Sequence, residues 1–182
     1  SIDVRNDAEA GKKLGEIQQL INEVIKEVRR VTFNLKPTVL GDYGLQAGLN
    51  VFTREIGKLT NIELGYVVES DITHRLPQKT ENNIFRIVQE AINNAIKYSE
   101  TKKIEVRLKQ TDSDIVITIK DDGIGFNEKM VEARSMNIES GRGFFNMYER
   151  TEYISGHLDI KSAPGQGTTV TLNVPIRTSV AL

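Results

Sequence analysis

The chain has 182 residues, 38% hydrophobic and 27% charged, with a net charge of −1. Those proportions suit one globular domain with an appendage, or two small units, and give no bulk electrostatic pull towards nucleic acid or an anionic membrane. Zero cysteines exclude disulfides, thiol nucleophiles and thiolate metal sites. No apolar run is long enough to span a bilayer, and no signal-peptide pattern opens the chain. The first residue is serine rather than methionine, as expected of a processed chain or an excised fragment.

The first predicted helix carries Leu14, Ile17, Ile21, Val24, Val28, Val31 and Leu35 at alternating steps of three and four. That is the a/d spacing of a coiled coil or helical bundle. Asn6 with Glu9 forms a capping-box pair at its start, and Pro37 stops it. Such a helix could pack on its own domain, but a narrow 3.5-residue seam favours partner helices, so dimerisation is expected. After "NLKPTVLGDYG" a second helix is predicted, with Leu45, Leu49, Phe52, Ile56 and Leu59 on one stripe and Asn61 as its punctuation. "IELGYVVE" then reads as a strand, followed by a polar loop through His74 and Pro77.

In "RIVQEAINNAIKYSE" two adjacent asparagines occupy the middle of a good helix, each costing about half a kcal/mol against alanine. At about 100° per residue, Ile84, Phe85, Ile87, Val88, Ala91, Ile92, Ala95 and Ile96 share one broad stripe. Arg86, Gln89, Glu90, Asn93, Asn94 and Lys97 share the other. Glu90 and Asn94 are four apart and therefore surface neighbours, with Lys97 one turn on. A carboxylate, an amide and an ammonium on one side could order a hydroxyl, hold a hard cation and neutralise phosphate charge. Periodicity alone favours a plain solvated face.

"KKIEVRLKQ" and "DIVITIK" alternate like antiparallel strands around a turn at Thr111 to Ser113. The second runs into "DDGIGF", where Gly123 and Gly125 allow close backbone approach to a ligand, or simply make a turn. The polar stretch "NEKMVEARSMNIES" is placed like a lid. Gly141 and Gly143 then open a helix with Phe144, Met147 and Tyr148 on its packing side. Glycines at a helix N-terminus offer free N–H groups to phosphate, although neither a P-loop nor a dinucleotide-binding spacing is present. "HLDIKSAPGQGTTVTLNVP" reads as a hairpin closed by "APGQG".

Taken in order, a helix with E-x-x-x-N, a strand ending in D-x-G-x-G, a lid closing on G-x-G with a helix, and a G-x-G-T hairpin form a specific set. It resembles the ATP-binding domain of bacterial sensor histidine kinases, a fold shared with type II topoisomerases, Hsp90 and MutL. "VRRVTFNLKPTVLGDYGLQAGL" is similar to the "LRP-x-x-L-x-x-x-GL" segment of the NarX, DesK and LiaS-like subgroup. There it follows the second helix of the dimerisation and histidine-phosphotransfer bundle. The resemblance implies an α+β fold, a two-layer α/β sandwich (the Bergerat ATP-binding fold) with a mixed, mostly antiparallel sheet, preceded by a long bundle helix. It implies residues 1–39 as that bundle helix, with the first bundle helix absent, and 40–182 as the catalytic domain.

Residue by residue, the resemblance makes Glu90 the general base that polarises the attacking histidine. Asn94 becomes the Mg²⁺ ligand and Lys97 a phosphate-facing cation, which would explain Asn94 in a helix interior; Asn93 is expected to face solvent. Asp121 would accept from the adenine amino group, with Gly123 and Gly125 giving the base room. Gly141 and Gly143 would lie near the phosphates, and Thr168 would place a hydroxyl at the pocket.

One departure stands out: the family's acceptor histidine lies in a motif like E-L-H-D, and neither His74 nor His157 does. Both read as ordinary polar residues, His74 in a loop and His157 beginning a strand. The implied function is that of a cytoplasmic fragment of a two-component kinase, part of a longer and potentially membrane-anchored protein. It would bind ATP with Mg²⁺ and phosphorylate a histidine this chain lacks. Its implied partners are the missing acceptor helix, a response regulator and a second copy through the bundle helix, with no nucleic acid. Two other readings stand beside it: an anti-sigma-type serine kinase of the same fold, and a nucleotide-insensitive dimerisation module or pseudokinase.

Overall fold

The computed structural model describes residues 11, 13–21, 24, 38–73, 75–127 and 142–176. The chain divides into two units, Ser1–Leu35 and Lys36–Leu182. In the first, residues 13–21 are helical. Leu14, Ile17, Ile21 and Val24 of the predicted seam all stand more than half exposed. The rest of the seam, the Asn6–Glu9 pair and Pro37 lie outside the described residues.

The second unit runs α1 (Thr38–Leu59), β1 (Glu63–Val68), α2 (Gln78–Tyr98), β2 (Lys103–Gln110), β3 (Asp114–Asp121), α3 (Arg142–Tyr153), β4 (His157–Ser162) and β5 (Thr168–Pro175). Its five strands lie in the order β1-β2-β3-β5-β4. β1 and β2 are parallel, and every other pair is antiparallel. A parallel pair needs a long crossover, and α2 supplies it. The remaining strands are joined as the alternation predicts, with β2 and β3 turning through residues 111–113 and β4 and β5 through residues 163–167.

Alternation also sets the layers. Ile104, Val106 and Leu108 of β2, Ile115, Ile117 and Ile119 of β3, and Val170, Leu172 and Val174 of β5 point to one buried face. The helices pack there: α1 on β1, α2 on β3 and α3 on β4. The opposite face carries Lys103, Glu105, Arg107 and Lys120, with ion pairs Lys103–Glu63 at 2.9 Å and Arg107–Glu69 at 3.1 Å. One apolar face and one solvated face make a two-layer sandwich.

α1 starts earlier than the periodicity implies, at Thr38, and passes through a kink at Gly44 with φ 84° and ψ −177°. Those angles belong to a region open essentially to glycine alone. The kink frees the Leu45 N–H, which donates to the buried Glu81 carboxylate at 3.4 Å. Arg75 pairs with that carboxylate at 3.4 Å and also donates to the carbonyls of Leu40, Gly41 and Asp42. Glu81, in the first turn of α2, therefore caps the second half of α1.

On α2 the predicted apolar stripe is the buried one, from Ile84 to Ala95, with Ile96 half-buried. Phe85 meets Phe52 of α1 edge-on, ring centroids 5.1 Å apart. Gln89 departs from the polar face predicted for it, because it is only 4% exposed and accepts from Arg86 at 2.6 Å. Phe85 is fully buried, so Phe85→Ala should destabilise this unit by about 3–5 kcal/mol. Urea denaturation should show a lower midpoint with an unchanged slope.

Candidate active site

Two groups of predicted residues gather along α2. The first is built where α3 begins. Glu90 and Asn94 project from one side of α2 and meet the backbone of Gly143: a β-carbon at 143 would overlap Glu90 Oε1 and lie 3.3 Å from Asn94 Nδ2. Only a residue without a side chain lets the first turn of α3 come this close. The Asn94 Nδ2 is buried with no hydrogen-bond partner among the described residues. A buried amide left unpaired costs about 1–3 kcal/mol. Native proteins retain such a group where a ligand or ion completes it.

The second group surrounds Asp121, at the end of β3 and 6% exposed. Its carboxylate accepts from the Gly123 N–H at 2.9 Å; β5 brings Thr168 opposite it in register, and the Ser99 hydroxyl donates to the Ala95 carbonyl at 2.6 Å. Burial pushes its carboxyl above the usual carboxylate range, partly offset by the Gly123 N–H. Gly123 lies flat against the end of α2, where a β-carbon would overlap the Ser99 carbonyl and stand 2.6 Å from Ser99 Oγ. The Ile124 N–H donates to that same carbonyl at 2.7 Å.

The "APGQG" turn of the last hairpin folds over this loop. Gly125 and Gly167 have φ of 60° and 71°. A β-carbon on the first would overlap the Ala163 carbonyl, and on the second the Asp121 carbonyl. The Gly165 N–H donates to the Ile124 carbonyl at 2.6 Å, and the Phe126 N–H to Ser162 Oγ at 2.9 Å. The Thr168 Oγ1 lies 3.1 Å from Ser162 Oγ, and Thr168 stands opposite Asp121 in the β3–β5 register. Phe126 and Phe144, on either side of the lid sequence, meet with ring centroids 5.8 Å apart.

Lys97 is exposed near the end of α2, beyond the Glu90–Asn94 group. Gly141 and most of the lid sequence lie outside the described residues, as does His74, while His157 begins β4 as expected. Asn93 does not simply face solvent: it is half-buried and its Oδ1 is shielded without a partner. On α3, Met147 is fully buried and Phe144 half-buried, but Tyr148 is 39% exposed, and Thr151 and Ile154 complete the packing face in its place. Ser99, Ser162 and Gly167 escaped the sequence reading, although the glycine pattern of "APGQG" marked the turn that holds the last.

The neighbouring Asp122 has a different task. It accepts from the Thr101 hydroxyl and from the backbone N–H groups of Lys102 and Lys103, at 3.1 and 3.0 Å. Those bonds, that from Thr101 first, hold its carboxyl below the usual range. Asp122 ties the loop between α2 and β2 to the end of β3.

Residues 79–178 match the family described as histidine kinase-, DNA gyrase B- and HSP90-like ATPases. The chain belongs to this ATPase family. It is 32% identical, over 88% of its length, to the oxygen sensor histidine kinase NreB of Staphylococcus carnosus, of which it spans 44%. It is also 32% identical, over 94% of its length, to a sensor-like histidine kinase of Chloroflexus aurantiacus, of which it spans 29%. Among solved structures, the histidine kinase domain of the Erythrobacter litoralis EL346 blue-light activated kinase superposes with a TM-score of 0.59 at 19% identity, covering 72% of this chain and 64% of that one. Full-length ShkA in complex with AMPPNP gives 0.59 at 18% identity, covering 73% of this chain and 31% of that one. These likenesses show the fold: a five-stranded mixed sheet with helices, as in the histidine kinase ATPases.

The donor set fits a magnesium ion carried by a nucleotide. Among the described residues no cluster of three or more acidic or histidine ligands exists. Mg²⁺ in nucleotide sites uses one or two protein oxygens and completes its shell with water and phosphate. Asn94 stands beside Glu90 below Gly143, and its amide has a neutral oxygen of the kind Mg²⁺ accepts, although the unpartnered atom is the Nδ2 donor.

Two expectations follow from the geometry. Gly123→Ala drives a β-carbon into backbone and should cost on the order of 1–3 kcal/mol. Gly143→Ala, which meets the movable end of Glu90, should cost less; paired chemical denaturation checks the order. The second concerns Asp122, whose lowered pKa adds stability above about pH 4 that is lost as pH falls through the folded-state value. Asp122→Asn should therefore melt below the parent at pH 7, and the gap should close below about pH 4. A gap independent of pH would show that the carboxylate charge contributes nothing there.

Proposed function

We propose that this chain is the catalytic, ATP-binding part of a two-component sensor histidine kinase. The observation that carries the reading is the pairing of Glu90 and Asn94 beneath Gly143, with Asp121 as a buried acceptor beside the C-terminal end of the same helix. Ser99 follows Glu90 by nine positions, about 13.5 Å along a helix axis. An elongated ligand with a hydrogen-bonding base and an anionic tail suits two groups so arranged. The kinases NreB and its Chloroflexus relative support the same assignment.

In this reading Asp121 accepts from the amino group of adenine, and the backbone turns at Gly123 and Gly125 shape the base pocket. Glu90 takes the proton of the attacking imidazole nitrogen as that nitrogen bonds to the γ-phosphorus. The bond from the γ-phosphorus to the bridging oxygen breaks, and ADP leaves. Asn94 would hold Mg²⁺, which when bound supplies charge neutralisation on the phosphates. Lys97 and the Gly141–Gly143 turn serve the phosphate end, with Thr168 beside the base. The protein's contribution is mainly positioning and charge, as in phosphoryl transfer generally.

In this reading residues 1–39 supply the bundle-helix part and residues 40–182 the catalytic domain, with α1 itself beginning at Thr38. The exposed Leu14, Ile17, Ile21 and Val24 give that helix an apolar side for a partner helix, in a homodimer that also carries the acceptor histidine. A response regulator would receive the phosphoryl group on the cytoplasmic side. Among the described residues no helix is long and apolar enough to cross a membrane.

Thermal unfolding with Mg-ADP tests the reading. At about a hundred times its dissociation constant a ligand adds roughly 2.7 kcal/mol, on the order of 5–10 °C for a domain of this size. We expect a shift of that size that depends on Mg²⁺ and is lost in Asp121→Asn. No shift at saturating nucleotide would leave a dimerisation module without a working site.

A further inference from the structure

The kink in α1 exchanges backbone hydrogen bonds for side-chain ones. In an unbroken helix each N–H donates to the carbonyl four residues back. A non-helical residue at 44 breaks the bonds that span it, from Leu45 to Gly41, Gln46 to Asp42 and Ala47 to Tyr43. In the structure the Arg75 guanidinium donates to the Gly41 and Asp42 carbonyls at 2.5 and 3.1 Å, and to that of Leu40 at 3.1 Å. The Leu45 N–H donates to the Glu81 carboxylate at 3.4 Å, and Arg75 pairs with the same carboxylate at 3.4 Å. One ion pair thus stands in for backbone bonds that the kink removes.

The two halves of α1 are held differently. Past the kink, Leu45, Leu49, Phe52 and Ile56 are buried in the core. Before it, Leu40 is buried against Gly48, where a β-carbon would come within 2.9 Å of its side chain. Thr38, Asp42 and Tyr43 are exposed. The Arg75 side chain is 47% exposed against 3% for Glu81, so water competes for the arginine while the glutamate stays fixed to α2. Straightening costs the Leu40 contact and the pairing of Glu81. In return it restores the backbone bonds across residue 44 and relieves Gly44 of a conformation open essentially to glycine alone.

We propose that Gly44 is a two-state joint, latched bent by Arg75 and Glu81 and free to straighten into one helix when the latch opens. The chain enters the second unit at Lys36 and reaches its core through the segment that Arg75 holds. Glu81 lies in the first turn of α2, the helix that carries Glu90 and Asn94. The latch therefore ties the entry segment of the ATPase unit to the helix at the base of its site, and its opening would loosen that tether. This regulatory role rests on the kinase reading above. The two-state joint itself requires no nucleotide, so each can fail without the other.

The chain has no cysteines, so spin labels can be attached at introduced ones alone. Thr38→Cys and Lys58→Cys are exposed positions near the two ends of α1. Twenty positions apart, they would stand about 30 Å apart along a straight helix, and closer across a bend. Double electron–electron resonance on the full chain should give one short distance for this labelled parent. Arg75→Gln should add a population at the straight-helix distance. Gly44→Ala should raise the ratio of straight to bent at least about fivefold, the advantage of alanine over glycine within a helix. Mg-ADP affinity should stay within about twofold in Arg75→Gln, because the latch lies outside the site. If Gly44→Ala does not fold, Arg75→Lys, which lacks the planar fork, should give a straight population between those of the parent and Arg75→Gln. A single short distance in every variant would overturn the proposal, even with a lowered melting temperature, since a fixed bend would behave that way. A broad distribution without the straight-helix peak would also overturn it, showing that the segment unravels. Failure of the parent to bind ADP would remove the regulatory role and leave the joint to the distances.

Discussion

The structure depends on a missing side chain. With no β-carbon at residue 123, the loop after β3 lies directly on the last turn of α2, and the Ile124 N–H reaches the Ser99 carbonyl. α2 also carries Glu90 and Asn94, so one rigid helix spaces the carboxylate at β3 from the acidic and amide groups under α3. The hairpin turn then locks the loop from the other side, through Gly165 to Ile124 and Ser162 to Phe126. Elements far apart in the chain are held by short backbone contacts rather than by long side chains. Such contacts tolerate little displacement, which suits a site that must hold a ligand at both ends.

The adjacent aspartates show how environment divides labour between identical side chains. Asp122 is bound by the loop donors around Thr101, and its ionised form is supported. Asp121 is buried and its ionised form disfavoured. For a carboxyl raised by burial, the folded state binds the proton more tightly than the unfolded chain. Its contribution to stability therefore falls as pH rises through the carboxylate range and beyond. A carboxyl that burial sets against its own charge, with the Gly123 N–H as its geometric donor, suits the recognition role proposed for it better than a structural one. Asp122 is the reverse case, a carboxylate whose charge favours the fold.

Much of this fold was legible because its periods are clean. The α2 stripe, the β2–β3 alternation and the final hairpin follow from residue spacing, and the order of glycine motifs located the two groups along α2. What escaped depends on contacts across the fold. The helix before Gly44 reads as a turn, since nothing local shows that Glu81, 36 positions from Leu45, will accept the N–H freed by the kink. Gln89 sits on the polar stripe by angle and is buried all the same. Thr168 stands opposite Asp121 in the register of β5 against β3, with its Oγ1 3.1 Å from Ser162 Oγ, a contact that spacing along the chain does not show. Ser99 is an ordinary helix-ending serine in sequence; only the absence of a side chain at 123 brings it to the site.

The two units differ in how far each accounts for its own stability. The ATPase unit closes its core within itself, with Phe85, Ile87, Leu108 and Ile117 fully buried. The first unit leaves Leu14, Ile17, Ile21 and Val24 at 52–64% exposure. Burying a side chain of this kind is worth about 1.5–3 kcal/mol when complete, and a short helix is marginal on its own in water. Four such residues at heptad spacing give the described part of this unit an apolar side that a partner helix could bury. Supplying that helix would complete a hydrophobic core, and in the proposed kinase the same helix would bring the histidine that the ATPase unit needs as acceptor. Folding of the bundle and access to substrate would then be one event, coupled by the burial of a single apolar seam.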